Sequence, residues 1–173
     1  YIDKWIIAKY QEMEKQFIKY LDNYEIGLGL NILEKFFWEF CDDYIEIVKH
    51  RLYRPEEFGD IPRYSGQKTI YMLLYKLLQK FSIYFPFITE EIYQELYHDN
   101  KSIHLTELKL LNFNYDEELK YGAMICDIIS KVRGEKSINN LSLKTQVREL
   151  ELSCEDKLIS ALNEAIKDFK ATL

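Results

Sequence analysis

The chain has 173 residues, of which 47% are hydrophobic and 30% charged, which suits one ordinary domain, or one with a small appendage, and excludes disorder, since Pro and Gly are scarce and apolar positions recur. Its formal charge of -6 argues against a uniformly basic nucleic-acid binder, although screening over about 10 Å leaves room for a local basic patch. No run of ~18 apolar residues is present to span a membrane, no signal peptide is visible, and three separated cysteines, Cys41, Cys126 and Cys154, suit reduced thiols in a cytoplasmic protein better than a zinc site or a disulfide frame.

The first predicted helix covers roughly Ile2 to Asn23. Ile6, Tyr10, Met13, Phe17, Tyr20 and Tyr24 alternate steps of four and three, which places them on one stripe. The second runs from about Glu25 to Tyr53 with two stripes: Ile26, Leu30, Leu33, Phe37, Phe40, Tyr44 and Ile47, and then Trp38, Cys41, Ile45, Val48 and Leu52. Two stripes predict burial on two sides, as an inner bundle helix requires. Gly27 and Gly29 weaken the start of this helix or admit a close neighbour. Residues 54–64 read as a loop because Pro55, Gly59 and Pro62 break the periodicity. A third helix spans about Gly66 to Phe85, with Ile70, Leu74, Leu77, Phe81 and Tyr84 on one face, stopped by Pro86.

A short helix is expected after Thr89 as N-cap, with Glu90 and Glu91 at its positive end and Ile88 and Tyr93 as a hydrophobic staple. It fades near His98. Residues 99–113 come next as a connecting loop with an extended piece at Ile103–Leu105. Then come a helix from Asp116 to Glu135, a turn at Asn139-Asn140, a short strand at Val147–Leu152 and a last helix from Glu155 to Lys170. The expected fold is therefore mostly α. An antiparallel four-helix-type bundle occupies residues 1–112, and a small helix–strand–helix appendage occupies residues 113–173.

Little chemistry is visible. Gly27-Leu28-Gly29 lacks the third glycine and the preceding strand of a dinucleotide loop. Glu39, Asp42, Asp43 and Glu46 crowd two turns, but a di-metal bundle wants two Glu-x-x-His units and only Glu95-x-x-His98 occurs, so a solvated acidic face is expected and no metal. No nucleophile elbow or P-loop accompanies His50, His98 or His104, and no catalytic residue is assigned. Positive charge gathers at two helix ends: Lys49, His50, Arg51 and Arg54, then Lys131, Arg133 and Lys136. Cations at a helix C-terminus answer its dipole and free carbonyls; they also suit phosphate contact.

Several segments resemble valyl-tRNA synthetases. They are Asp3-Lys4-Trp5-Ile6; Phe36 through Glu46 (FFWEFCDDYIE) with Lys49 and Arg51-Leu52-Tyr53; Pro86-Phe87-Ile88-Thr89-Glu90-Glu91-Ile92; and Ser102-Ile103-His104-Leu105. Leu141-Ser142-Leu143-Lys144 is similar to the archaeal-type branch. Isoleucyl and leucyl synthetases share parts of these motifs, and the Cys-Asp-x-Tyr-Ile-Glu run favours the valyl type. The chain departs from the family where Ser82-Ile83 replaces a proline-containing pair, which predicts a straighter third helix, and where Leu108-Lys109 replaces Trp-Pro.

The resemblance implies an anticodon-binding domain that grips the stem and loop of a tRNA, the valine acceptor, as part of a longer ligase chain. It implies ATP and magnesium in the catalytic core of the parent, whose HIGH- and KMSKS-type signatures are absent here, and no cofactor in this piece. A start at Tyr1 on a helix, without Met, fits an excised piece, with a processed chain as the alternative. The phosphate contacts it implies fall to Lys49, Arg51 and Arg54, with Lys131, Arg133 and Lys136 second. The competing readings are a helical protein–protein interaction module, favoured by the acidic charge, and a bundle enzyme with a metal centre.

Overall fold

The computed structural model describes residues 1–98 and 101–173. Residues 99 and 100 of the expected connecting loop lie outside that description.

Helix α1 (Ile2–Asp22) buries Ile6, Tyr10, Met13 and Phe17, as its spacing predicts. The stripe stops short of Tyr24, which sits beyond the helix with a positive φ and is exposed. Ile2, Trp5, Ile7 and Ala8 are buried as well, because α1 is packed by α2 on one flank and α7 on another.

The second predicted helix is one rod in three parts: α2 (Ile26–Trp38), a π-helical stretch over Glu39–Ile45, and α3 (Glu46–Tyr53). A π turn holds an extra residue and rotates the later side chains around the axis. The inward line accordingly runs Leu33, Phe36, Phe40, Tyr44, Ile47, Val48 and Arg51, and Trp38 is left exposed. Gly29 faces Tyr84, whose hydroxyl lies 2.8 Å from where a Cβ would stand, while Phe17 and Leu21 of α1 are at ordinary contact.

The predicted loop over residues 54–64 is helical for most of its length. Helix α4 (Pro55–Phe58) ends at Gly59, whose φ of 90° suits glycine, and α5 (Asp60–Phe81) starts directly after it. Pro62 is tolerated because it falls in the first turn, where backbone N–H groups have no intrahelical acceptor. The buried line of α5 is Gly66, Thr69, Leu73, Leu77 and Lys80. It contains polar residues, which is why an apolar stripe misplaced it. The helix ends at Phe81, before the turn at residues 82–85, instead of running on to Phe85. Pro86 then opens α6 (Pro86–Tyr97) instead of terminating α5. Thr89 lies inside α6, where its hydroxyl donates to the carbonyl of Phe85 at 2.8 Å, and Ile88 is exposed, so neither the expected cap nor the staple forms.

Ile103–Leu105 forms a 3₁₀ turn and not an extended piece. The segment after it is fastened to the helices by buried polar groups. Lys80 pairs with Glu14 at 2.6 Å and donates to Tyr10. The other Glu14 oxygen accepts the Leu111 backbone N–H at 3.1 Å. Lys76 and Gln79 donate to Lys109 and Thr106. These bonds dock the segment where the Trp-Pro pair is missing.

Helix α7 (Asp116–Ile138) crosses α1, and the turn at Asn139-Asn140 is present, with Asn140 at φ 54°. The expected last helix is two, α8 (Asp156–Glu164) and α9 (Ile166–Thr172), broken at Ala165. Among the described residues there is no strand. Residues 147–152 have no ladder partner, and a β-strand exists only where a second strand receives its N–H and C=O groups. Tyr121, Ile125, Leu158 and Phe169 join Trp5, Tyr10 and Phe40 in one hydrophobic core. Among the described residues no helix is long and apolar enough to cross a membrane.

Candidate nucleic-acid interface

The two basic clusters that are far apart in sequence meet in space. Lys49 and His50 lie on the outer side of α3, and Arg133 approaches them from α7. Glu46 sits between: its carboxylate accepts from Lys49 at 2.8 Å and pairs with Arg133 at 3.6 Å. Lys49 and then Arg133 hold that carboxyl below its usual range. Arg54 comes directly after α3, with its guanidinium 2.9 Å from His50 Nδ1 and 3.0 Å from Glu57. His50 is held below the ordinary histidine range by burial first, and then by Arg54 and Lys49. Three guanidinium or ammonium groups and an imidazole thus share one surface, with Glu46 and Glu57 as counter-charges. Such a group can hold the phosphates of a polyanion, with arginine forks matching phosphate oxygens two at a time.

The other predicted residues lie elsewhere. Arg51 is only 5% exposed. It turns inward between Asp3 of α1, which it touches directly, and Asp168 of α9 at 3.3 Å. Asp3 also accepts from Tyr44 at 2.7 Å and Ser65 at 2.5 Å. Burial pushes the Asp168 carboxyl up, even beside Arg51. The sequence carries a signal for this: Tyr44, Ile47 and Arg51 step by three and four, which sets Arg51 on the buried line. Lys136 is also buried, donating to the carbonyls of Leu143 and Leu173. Lys131 is exposed and pairs with Asp127, one turn back, at 2.7 Å.

Of the acidic run, Glu39 pairs with Lys9 at 2.9 Å and Glu46 with Lys49 and Arg133, while burial, and then Glu39 and Asp42, push the Asp43 carboxyl up. Among the described residues no three His, Cys, Asp or Glu side chains converge as a metal ion needs. Cys41, Cys126 and Cys154 are free, and burial raises the Cys126 thiol.

Residues 3–151 match the family of anticodon-binding domains of tRNA ligases. The chain is similar to valine–tRNA ligase of Rickettsia rickettsii (strain Sheila Smith), 38% identical over 154 residues, which is 87% of this chain and 19% of the relative. It is 40% identical over 157 residues to valine–tRNA ligase of Rickettsia felis, covering 87% of this chain and 18% of the relative. With that of Rickettsia prowazekii it shares 36% over 154 residues, again 87% and 19%. The chain therefore spans about a fifth of the length of these relatives.

Proposed function

Because the chain belongs to the family of anticodon-binding domains of tRNA ligases, we propose that it holds the anticodon arm of a valine tRNA within an enzyme that joins valine to that tRNA. The observation that carries this reading is the convergence of Lys49, His50, Arg54 and Arg133 on one surface of an acidic chain. A phosphate backbone laid across it displaces Glu46 and Glu57 as partners and releases condensed counterions. Residues 1–112, as a four-helix-type unit, supply α3 and the grip. Residues 113–173 brace it and add Arg133. The valine assignment comes from the named relatives, and the cytoplasm is the compartment that suits a ligase acting on tRNA.

ATP and magnesium belong, on this reading, to the catalytic part of such a ligase. The chain has none of the ATP-binding signatures, and its own residues contribute binding alone. The rest of that ligase is a natural partner for the apolar end formed by the turns at residues 23–26 and 82–86. There Trp38 is 54% and Phe87 89% exposed, and a cleft of about 240 Å³ opens between Leu30, Phe37, Trp38, Phe81 and Phe85.

The test is titration of the 173-residue chain with an RNA hairpin carrying a valine tRNA anticodon arm, at several salt concentrations. Affinity should fall linearly in log–log form as salt rises, and Lys49→Glu or Arg133→Glu should weaken binding and flatten the slope by roughly one charge equivalent. Binding that ignores salt, or charge-reversal variants that bind like the parent, sinks the reading.

A further inference from the structure

Tyr53 is the last residue of α3 and is 82% exposed. Among the described residues its ring stacks on no other aromatic and its hydroxyl has no partner. Helical spacing places it four residues after Lys49 and three after His50, on their face of α3. Arg54 is the next residue, with its guanidinium 5.9 Å from the centre of the Phe58 ring. The other exposed aromatics are placed differently. Tyr24, Phe85 and Phe87 lie about the turns that meet where Tyr84 donates to the Ile26 carbonyl, Trp38 lines the cleft beside Phe85, and Phe113 stacks on Tyr115. Tyr71 packs one side of its ring on Tyr97, with ring centres 4.5 Å apart. Tyr64 lies two residues before Gly66, whose face meets Leu52 and Arg51, so it points away from α3.

Tyr53 lies between Lys49 and His50, about one turn before it, and Arg54, the next residue. Glu57 is the counter-charge of Arg54, at 3.0 Å. Phosphates that track these cations leave the base of an unpaired nucleotide beside the exposed Tyr53 ring. Base–aromatic stacking of this kind tolerates any base and requires that the base be unpaired.

We propose that Tyr53 is a base-stacking residue for an unpaired nucleotide of the RNA loop whose phosphates lie along Lys49, His50, Arg54 and Arg133. This rests on the tRNA-binding reading above. It is tested by comparing the chain with its Tyr53→Ala, Tyr53→Phe and Tyr53→Leu variants against two probes, the anticodon-arm hairpin and a blunt duplex of the same stem without the loop. Tyr53→Ala should lose roughly five- to a hundred-fold in affinity for the hairpin and nothing for the duplex, with an unchanged salt slope because no charge is removed. Tyr53→Phe should bind like the parent, and Tyr53→Leu should not recover the loss. Since Tyr53 is exposed, circular dichroism should show every variant folded. Hairpin binding by Tyr53→Ala equal to the parent's overturns this inference and leaves the phosphate surface standing. An equal loss on hairpin and duplex overturns it too, and failure of the parent chain to bind either RNA overturns both readings together.

Discussion

Arg54 follows α3 with its guanidinium partly open to solvent, whereas Arg51, one turn earlier, is enclosed between Asp3 and Asp168. The difference lies in what each would leave behind. Replacing Arg51 by Met strands two buried carboxylates, which should cost about 3–5 kcal/mol, read as a lowered urea midpoint. His50 carries a pH dependence whose sign is set by its neighbours. Its folded value is depressed, so the unfolded chain takes up the proton first and stability falls as pH drops below about 6.5. For RNA binding the sign is opposite, because a polyanion across the same cations favours the imidazolium. Hairpin affinity should rise as pH falls through the titration of His50, and His50→Gln should remove that rise; a parent profile flat with pH would contradict it. At this scale, the inward position of Arg51 was legible from the spacing of Tyr44 and Ile47. The arrival of Arg133 beside Glu46 was not, because nothing local in sequence specifies which face of α3 a distant helix will cover.

Helix α7 depends on one glycine and not on another. A Cβ on Gly122 would stand 2.5 Å from the Cβ and Cγ of Trp5, while nothing lies within 4 Å of one on Gly134. Gly122→Ala should therefore push α7 off α1 and destabilise by ~1–3 kcal/mol. Gly134→Ala should stabilise by up to about 1 kcal/mol through helix propensity alone. Thermal melting of the two variants should move in opposite directions, and equal shifts would deny the close crossing. Helices α1 and α7 were legible because their apolar steps were long and regular. The π stretch was not, since Glu39–Ile45 keeps an apolar pattern that an uninterrupted α-helix fits equally well. Leu150 and Leu152 share one side as strand residues would, yet that pattern describes only one edge of a ladder and the partner has to come from elsewhere. The start of α5 was misread because Pro62 breaks a helix only past its first turn.

Across the whole molecule, acidity and nucleic-acid binding are reconciled by segregation. The formal charge of -6 is an average, and what a phosphate meets within a Debye length is the local set on α3 and α7. The apolar end and the cationic face are separate surfaces, so protein docking and RNA binding need not compete. The ion cluster around Arg51 also ties together helices from both ends of the chain. Asp3 comes from α1 and Asp168 from α9, and α9 is further held where the Thr172 hydroxyl meets the carbonyl of Ile47 at 3.5 Å. On the ribosome, Asp3 and Arg51 emerge long before Asp168. A nascent chain therefore has that guanidinium with one of its two carboxylates missing, and the buried ion cluster is complete only once α9 has been made.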